Sequence, residues 1–150
     1  MAKNRDTTKA SRLPALAGEL RVAIGKLNRR LREQAHPGDF TSAQKSVLLR
    51  LERDGPATVS MLARAESVRP QSMRITISSL ETAGLVSGAP DQSDGRQTIF
   101  SLTHACREVL KASRAAREDW LLRALQAQLT AREQKQLAVA VDLFNRLADF

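Results

Sequence analysis

The chain predicts a mainly α-helical fold with one small β-hairpin wing, that is, a winged helix-turn-helix flanked by N- and C-terminal dimerisation helices. Three observations carry this. Apolar residues recur at spacings of three and four near both ends of the 150 residues. A short helical stretch, TVSMLARAES, runs through a tight connection into a second helix opened by Arg69-Pro70. Two apolar runs, LV and TIFSL, bracket the polar loop SGAPDQSDGRQ, which has the composition of a hairpin.

The first twelve residues, MAKNRDTTKASR, hold charges but no apolar run, so 1–12 reads as a disordered tail and not a leader. Leu13, Leu16, Leu20, Ile24, Leu27 and Leu31 then form one stripe of an N-terminal helix over 13–35, with Arg21, Arg29, Arg30 and Arg32 around it. HPGD at 36–39 ends it. Thr41 and Gln44 have the spacing of a capping box, and the helix they start buries Val47, Leu48 and Leu51 before Asp54-Gly55-Pro56. The short helix is expected to begin near Ser60 and to bury Leu62 and Ala63. Pro70 suits a first helical turn, where its missing N–H costs nothing. Met73, Ile77, Leu80 and Gly84 follow at intervals of four, three and four, one inward face.

After the hairpin, Thr103 caps a long helix through Val109, Leu110, Trp120, Leu121 and Leu125. Thr130 and Glu133 form a second capping box, opening a last helix with the stripe Leu137, Val141, Phe144 and Leu147. Residues 41–103 are already a complete DNA-binding lobe, which leaves 104–150 as linking and dimerisation helices. The terminal stripes have no core of their own to join. Leu13, Leu16, Leu20, Leu137, Val141, Phe144 and Leu147 are therefore expected at a two-fold interface.

Charge narrows the partner. Twenty-four Lys and Arg against sixteen Asp and Glu give a net +8, a field that attracts polyanions. Aromatics are 3% and tyrosine is absent, which disfavours stacking on single strands. Double-stranded DNA is the better partner, with an anionic membrane surface second. One cysteine, Cys106, excludes an internal disulfide and fits the cytoplasm. No stretch is long and apolar enough to span a bilayer. Phosphate-loop, zinc-protease and hydrolase motifs are missing, and His104 with Cys106 makes a poor metal pair, so neither enzyme, metal nor cofactor is expected.

With Met73, Ile77 and Leu80 inward, the 100° step turns Gln71, Ile75, Ser78 and Thr82 outward, flanked by Ser72 and Arg74. Gln bonds adenine bidentately, Arg bonds guanine or a phosphate, and an exposed Ile covers a thymine methyl. Arg69, next to Pro70, joins this candidate DNA-contacting set. Ser60 is either a phosphate donor or simply an N-cap.

SMRITISSLETAGLVSG and SDGRQTIFSLT, together with LTAREQKQL, resemble the MarR family of bacterial winged-helix transcription regulators. The resemblance rests on Leu80-Glu81, Gly84-Leu85-Val86, Asp94-x-Arg96 and Leu102-Thr103 in that order. It implies an obligate homodimer on a pseudo-palindromic operator, commonly a repressor released by a small aromatic or anionic effector. It also implies that Arg96 enters the minor groove and that Asp94 orients it. Some members sense oxidation, which makes Cys106 an alternative switch. A nucleoid-type protein without sequence preference is a further alternative. Three departures from the family pattern stand out: Gly88 and Gly95 replace basic residues common in the wing, and Ile75 falls where many members carry Arg, with Arg74 just before it.

Overall fold

A computed structural model describes residues 12–34 and 40–150. The tail expectation over residues 1–11 and the HPGD stretch lie outside the described residues. Among the described residues nine elements follow: α1 (Arg12–Gln34), α2 (Ser42–Asp54), β1 (Ala57–Thr58), α3 (Val59–Ala65), α4 (Pro70–Thr82), β2 (Val86–Pro90), β3 (Thr98–Leu102), α5 (His104–Gln128) and α6 (Ala131–Ala148). Contacts divide the chain into two units, one of residues 36–114 and one of 1–35 with 115–150.

The first unit owns the hydrophobic core. Val47, Leu48 and Leu51 of α2, Leu62 and Ala63 of α3, and Met73, Ile77 and Leu80 of α4 bury together. Leu85, Val86, Phe100, Leu102 and Cys106 close it. Both capping boxes form: Thr41 with Gln44 opens α2, and Thr130 with Glu133 opens α6. Thr103 Oγ1 accepts from the Cys106 N–H at 3.1 Å, capping α5 as its position implies.

Three local features differ from expectation. The short helix is capped by Thr58, whose Oγ1 accepts from the Met61 N–H at 3.2 Å, so Ser60 lies inside the first turn and is not the cap. Gly84 is not part of the inner face of α4. It sits beyond the helix at φ 72°, where Gly84 N–H donates to Glu81 O and Leu85 N–H to Leu80 O. That is a Schellman stop, and its left-handed position suits glycine. Finally, the hairpin has a third partner: β1 pairs with β3 through Ala57–Phe100 and Thr58–Ile99, giving an antiparallel sheet in the order β1-β3-β2.

The connection between α3 and α4 repeats the Schellman pattern without glycine. Val68 N–H donates to Ala63 O, Ser67 N–H to Arg64 O, and Ser67 holds φ 55°. A side-chain cluster helps hold this strained turn. The Ser46 hydroxyl and Arg50 Nε, both from α2, donate to the Glu66 carboxylate, and an Arg50 guanidinium nitrogen reaches Ala65 O at 3.4 Å. The Ser46 hydrogen bond first, then that from Arg50, holds the Glu66 carboxyl below the usual glutamate range.

A carboxylate with a lowered folded pKa contributes stability that is complete above its unfolded pKa of about 4.3. That contribution is lost as pH falls through the folded value. Glu66→Gln is expected to destabilise the protein by about 1–3 kcal/mol at pH 7, because the Arg50 guanidinium loses the more buried of its two ionic acceptors and keeps only Asp54 at 3.3 Å. Urea unfolding at pH 7 and again near pH 3.5 tests this. The gap between variant and wild type should shrink in acid, and an equal gap at both pH values would contradict the assignment.

In the second unit, no residue of α1 or α6 is buried. Leu13 is 66% exposed and Val139 70%. Gln134 Nε2 donates to Leu125 O and Leu129 O at 3.3 and 3.1 Å, tying the start of α6 to the end of α5. The Arg30 guanidinium lies 5.9 Å from the centre of the Trp120 ring. No helix among the described residues is long and apolar enough to cross a membrane.

Candidate nucleic-acid interface

Helix α4 presents its outer face as the 100° step requires. Met73, Ile77 and Leu80 are buried, whereas Arg69, Gln71, Ser72, Arg74, Ile75 and Ser78 are exposed. Arg69 is the N-cap of α4 but makes no capping hydrogen bond with its side chain, and Pro70 begins the helix. Ile75 is 65% exposed, the one large apolar side chain on this face.

The helix also sorts its own hydroxyls. Thr76 Oγ1 donates to Ser72 O, and Ser79 Oγ donates to Thr76 O while accepting from Gln44 Nε2 at 2.9 Å. Those two side chains are committed internally. Among the described residues, the side chains of Gln71, Ser72, Arg74 and Ser78 have no hydrogen bond and no ion pair, so they are available to a partner.

The wing is built by two side-chain turns. Asp91 accepts from the Ser93 N–H at 3.0 Å, and Asp94 Oδ1 accepts from the Arg96 N–H at 3.1 Å. The Gln97 N–H closes the tip on Asp94 O at 2.9 Å. Asp94 thus holds the Arg96 backbone, and no ion pair joins its carboxylate to the Arg96 guanidinium among the described residues. That guanidinium stands exposed at the tip.

Gly88 has a structural reason that its sequence position did not disclose. It lies opposite Phe100 in the β2–β3 register, and a Cβ there would come within 2.8 Å of Thr98 Cγ2 and 3.0 Å of Phe100 Cε1. The wing strand therefore needs glycine for packing.

Two concavities meet at Arg74. Arg74, Ile75, Ser78, Ser79 and Thr82 line the first, along α4. The second lies between the start of α3, α4 and the wing, where Ser60, Arg74 and Arg96 come together over Thr58, Gln97 and Thr98. Sequence reasoning missed Thr58, Gln97 and Thr98. Thr58 was legible as a Thr-x-x-Met cap, but the other two become neighbours of α4 only through strand pairing.

Cys106 is fully buried in the core. Burial foremost, then the charge of Glu52, raises its thiol above the usual range, outweighing Arg107. Its place near the start of α5 does not offset this. A buried protonated thiol is packing and not a ready thiolate. Arg114 pairs with Glu52 at 3.0 Å and so braces α5 against α2.

The dimer candidates Leu13, Leu16, Leu20, Leu137, Val141, Phe144 and Leu147 all belong to the other unit, none of them buried.

Residues 39–97 match the MarR family. An HTH-type transcriptional regulator of Mycobacterium bovis is 39% identical, covering 89% of this chain and 93% of the relative. A homologue from Mycobacterium leprae is 37% identical over the same shares. A transcriptional regulator of Pseudomonas aeruginosa superposes with a TM-score of 0.79 at 36% identity, covering 99% of each chain. The fold is shared with S. aureus MepR, a mutant of which is bound to an oligodeoxyribonucleotide in its crystal structure. The TM-score is 0.68 at 20% identity, covering 89% of this chain and 96% of MepR. An exposed recognition helix, a guanidinium-tipped wing and these relatives agree: the chain belongs to the MarR family of winged-helix, DNA-binding transcription regulators, which are not enzymes.

Proposed function

We propose that this protein represses transcription as a homodimer on a pseudo-palindromic operator, with α4 of each protomer in a major groove and each wing in the adjacent minor groove. The observation that carries the reading is a face of α4 whose Gln71, Ser72, Arg74 and Ser78 side chains have no internal partner, beside the exposed Arg96. Gln71 suits adenine, Ile75 suits a thymine methyl, and Arg96 suits the negative potential of a narrow minor groove. Unburied apolar stripes on α1 and α6 support the dimer. Release by a small aromatic or anionic effector, and a cytoplasmic location, belong to the same proposal and are supported by the family resemblance. The buried Cys106 favours a ligand over oxidation as the switch.

Selection of bound fragments from random duplex DNA tests the reading, and a palindromic consensus is the expected result. A preference-free pool would favour the nucleoid-type alternative. On the selected operator, Gln71→Ala is expected to relax discrimination at one base pair per half-site, at about 1–3 kcal/mol. Arg96→Ala is expected to weaken binding and reduce A·T preference at the flanks. Wild-type affinity and selectivity in both variants would refute this docking.

A further inference from the structure

We infer that Arg74 is a phosphate ligand and not a base reader: with Ser60 it grips the sugar–phosphate strand that runs between the groove holding α4 and the groove holding the wing. The inference rests on the DNA-binding reading above and adds a division of labour within it. Two adjacent grooves of a duplex are separated by one backbone strand. A protein that places α4 in one groove and its hairpin in the next must let that strand cross the gap between them. Here the gap is the recess lined by Ser60, Arg74, Arg96, Gln97 and Thr98. It holds two guanidinium groups and no carboxylate, and neither guanidinium is ion-paired among the described residues. The hydroxyls of Thr58, Ser60 and Thr98 and the Gln97 amide, which also donates to Asp94 Oδ2 at 3.4 Å, share the lining with Val59 and Phe100. Such a surface fits a phosphodiester, whose oxygens accept from the donors among these groups and carry the opposite charge.

The consequence for recognition is specific. With Arg74 on the backbone, the base-reading centre of α4 is Gln71, Ile75 and Ser78, and it carries no charge. Nothing there forks onto guanine. Sequence discrimination in the major groove then comes from adenine and thymine contacts. The Arg common in related recognition helices is thus displaced by one residue and changed in role.

The test compares wild type, Arg74→Ala and Arg74→Lys on the selected operator, on each of its single-base-pair substitutions, and across a salt series. Arg74 is exposed, and circular dichroism of the variants confirms that each is folded. Arg74→Ala should weaken binding by about tenfold per half-site for every duplex alike. It should also reduce the slope of log affinity against log salt by about one per protomer. Arg74→Lys should restore most of both, because an ammonium serves a phosphate but cannot fork onto guanine. A methylphosphonate at the bridging position should weaken wild type clearly more than Arg74→Ala. Loss of discrimination at one base pair in Arg74→Ala, unrepaired by Lys, would assign Arg74 to a base edge and overturn the inference while leaving the DNA-binding reading intact. An unchanged salt slope would overturn it equally. Wild type binding every duplex alike would remove the operator reading, and the slope change would still decide the phosphate contact.

Discussion

Deleting residues 1–31 is expected to give an insoluble or unfolded product. The deletion takes away Leu13, Leu16, Leu20, Ile24 and Leu27 of α1, leaving the stripe of α6 without its counterpart. Within one chain these residues are already unburied, with Leu16 55% and Leu147 61% exposed. A soluble protein does not leave two such stripes in water when burial of each side chain is worth about 1.5–3 kcal/mol. In the homodimer proposed above, a second copy would remove them from solvent in a single step, since a two-fold interface uses the same surface on both partners.

A gentler perturbation isolates assembly from folding. The 36–114 unit has its own core, so Val141→Asp with Phe144→Asp is expected to leave a folded DNA-binding lobe on a chain that no longer dimerises. Sedimentation should report a monomer. Operator affinity should fall by about a hundredfold or more, because the second half-site loses its effective concentration. A folded monomer from the 1–31 deletion, binding operator as wild type does, would end the dimer reading.

How much of this was legible beforehand follows how local each interaction is. The two capping boxes, Pro70 at the head of α4 and the inward positions Met73, Ile77 and Leu80 depend on residues within four of one another, and their spacing shows. The hairpin was visible because its two apolar runs bracket one short loop rich in turn residues. Strand β1 was not, because two residues become a strand only when Phe100 and Ile99 pair with them from far along the chain. The Arg50–Glu66 pair and the Gln44–Ser79 hydrogen bond are likewise products of the fold. At the site, periodicity alone exposed Gln71, Ile75 and Ser78. That Ser60, Arg74 and Arg96 line one recess required the sheet to fold the wing back beside α4. Cys106 packs in the core as a small apolar filler, and its place near a helix start does not outweigh that burial.

Gly88→Lys supplies the other large expected effect, and it opposes a simple charge argument. Related wings commonly carry a basic residue at this point, so adding one would be expected to tighten binding to a polyanion. The packing forbids it. A Cβ at 88 meets Thr98 Cγ2 and the Phe100 ring, and Phe100 is fixed between β1 and the core. Thr98 is then the side chain that yields, and it lines the recess with Arg74 and Arg96. Overpacking of this kind costs about 1–3 kcal/mol. Gly88→Lys is therefore expected to lower both unfolding stability and operator affinity despite its extra charge. Ser87→Lys provides the matched control, since successive side chains of a strand point to opposite faces and Ser87 is exposed. It adds the same charge without the collision and should leave stability unchanged. Unfolding curves and binding isotherms for the two variants decide the matter. A Gly88→Lys protein as stable as Ser87→Lys and tighter on DNA than wild type would show that the wing accommodates the side chain, and that charge, not packing, governs this position.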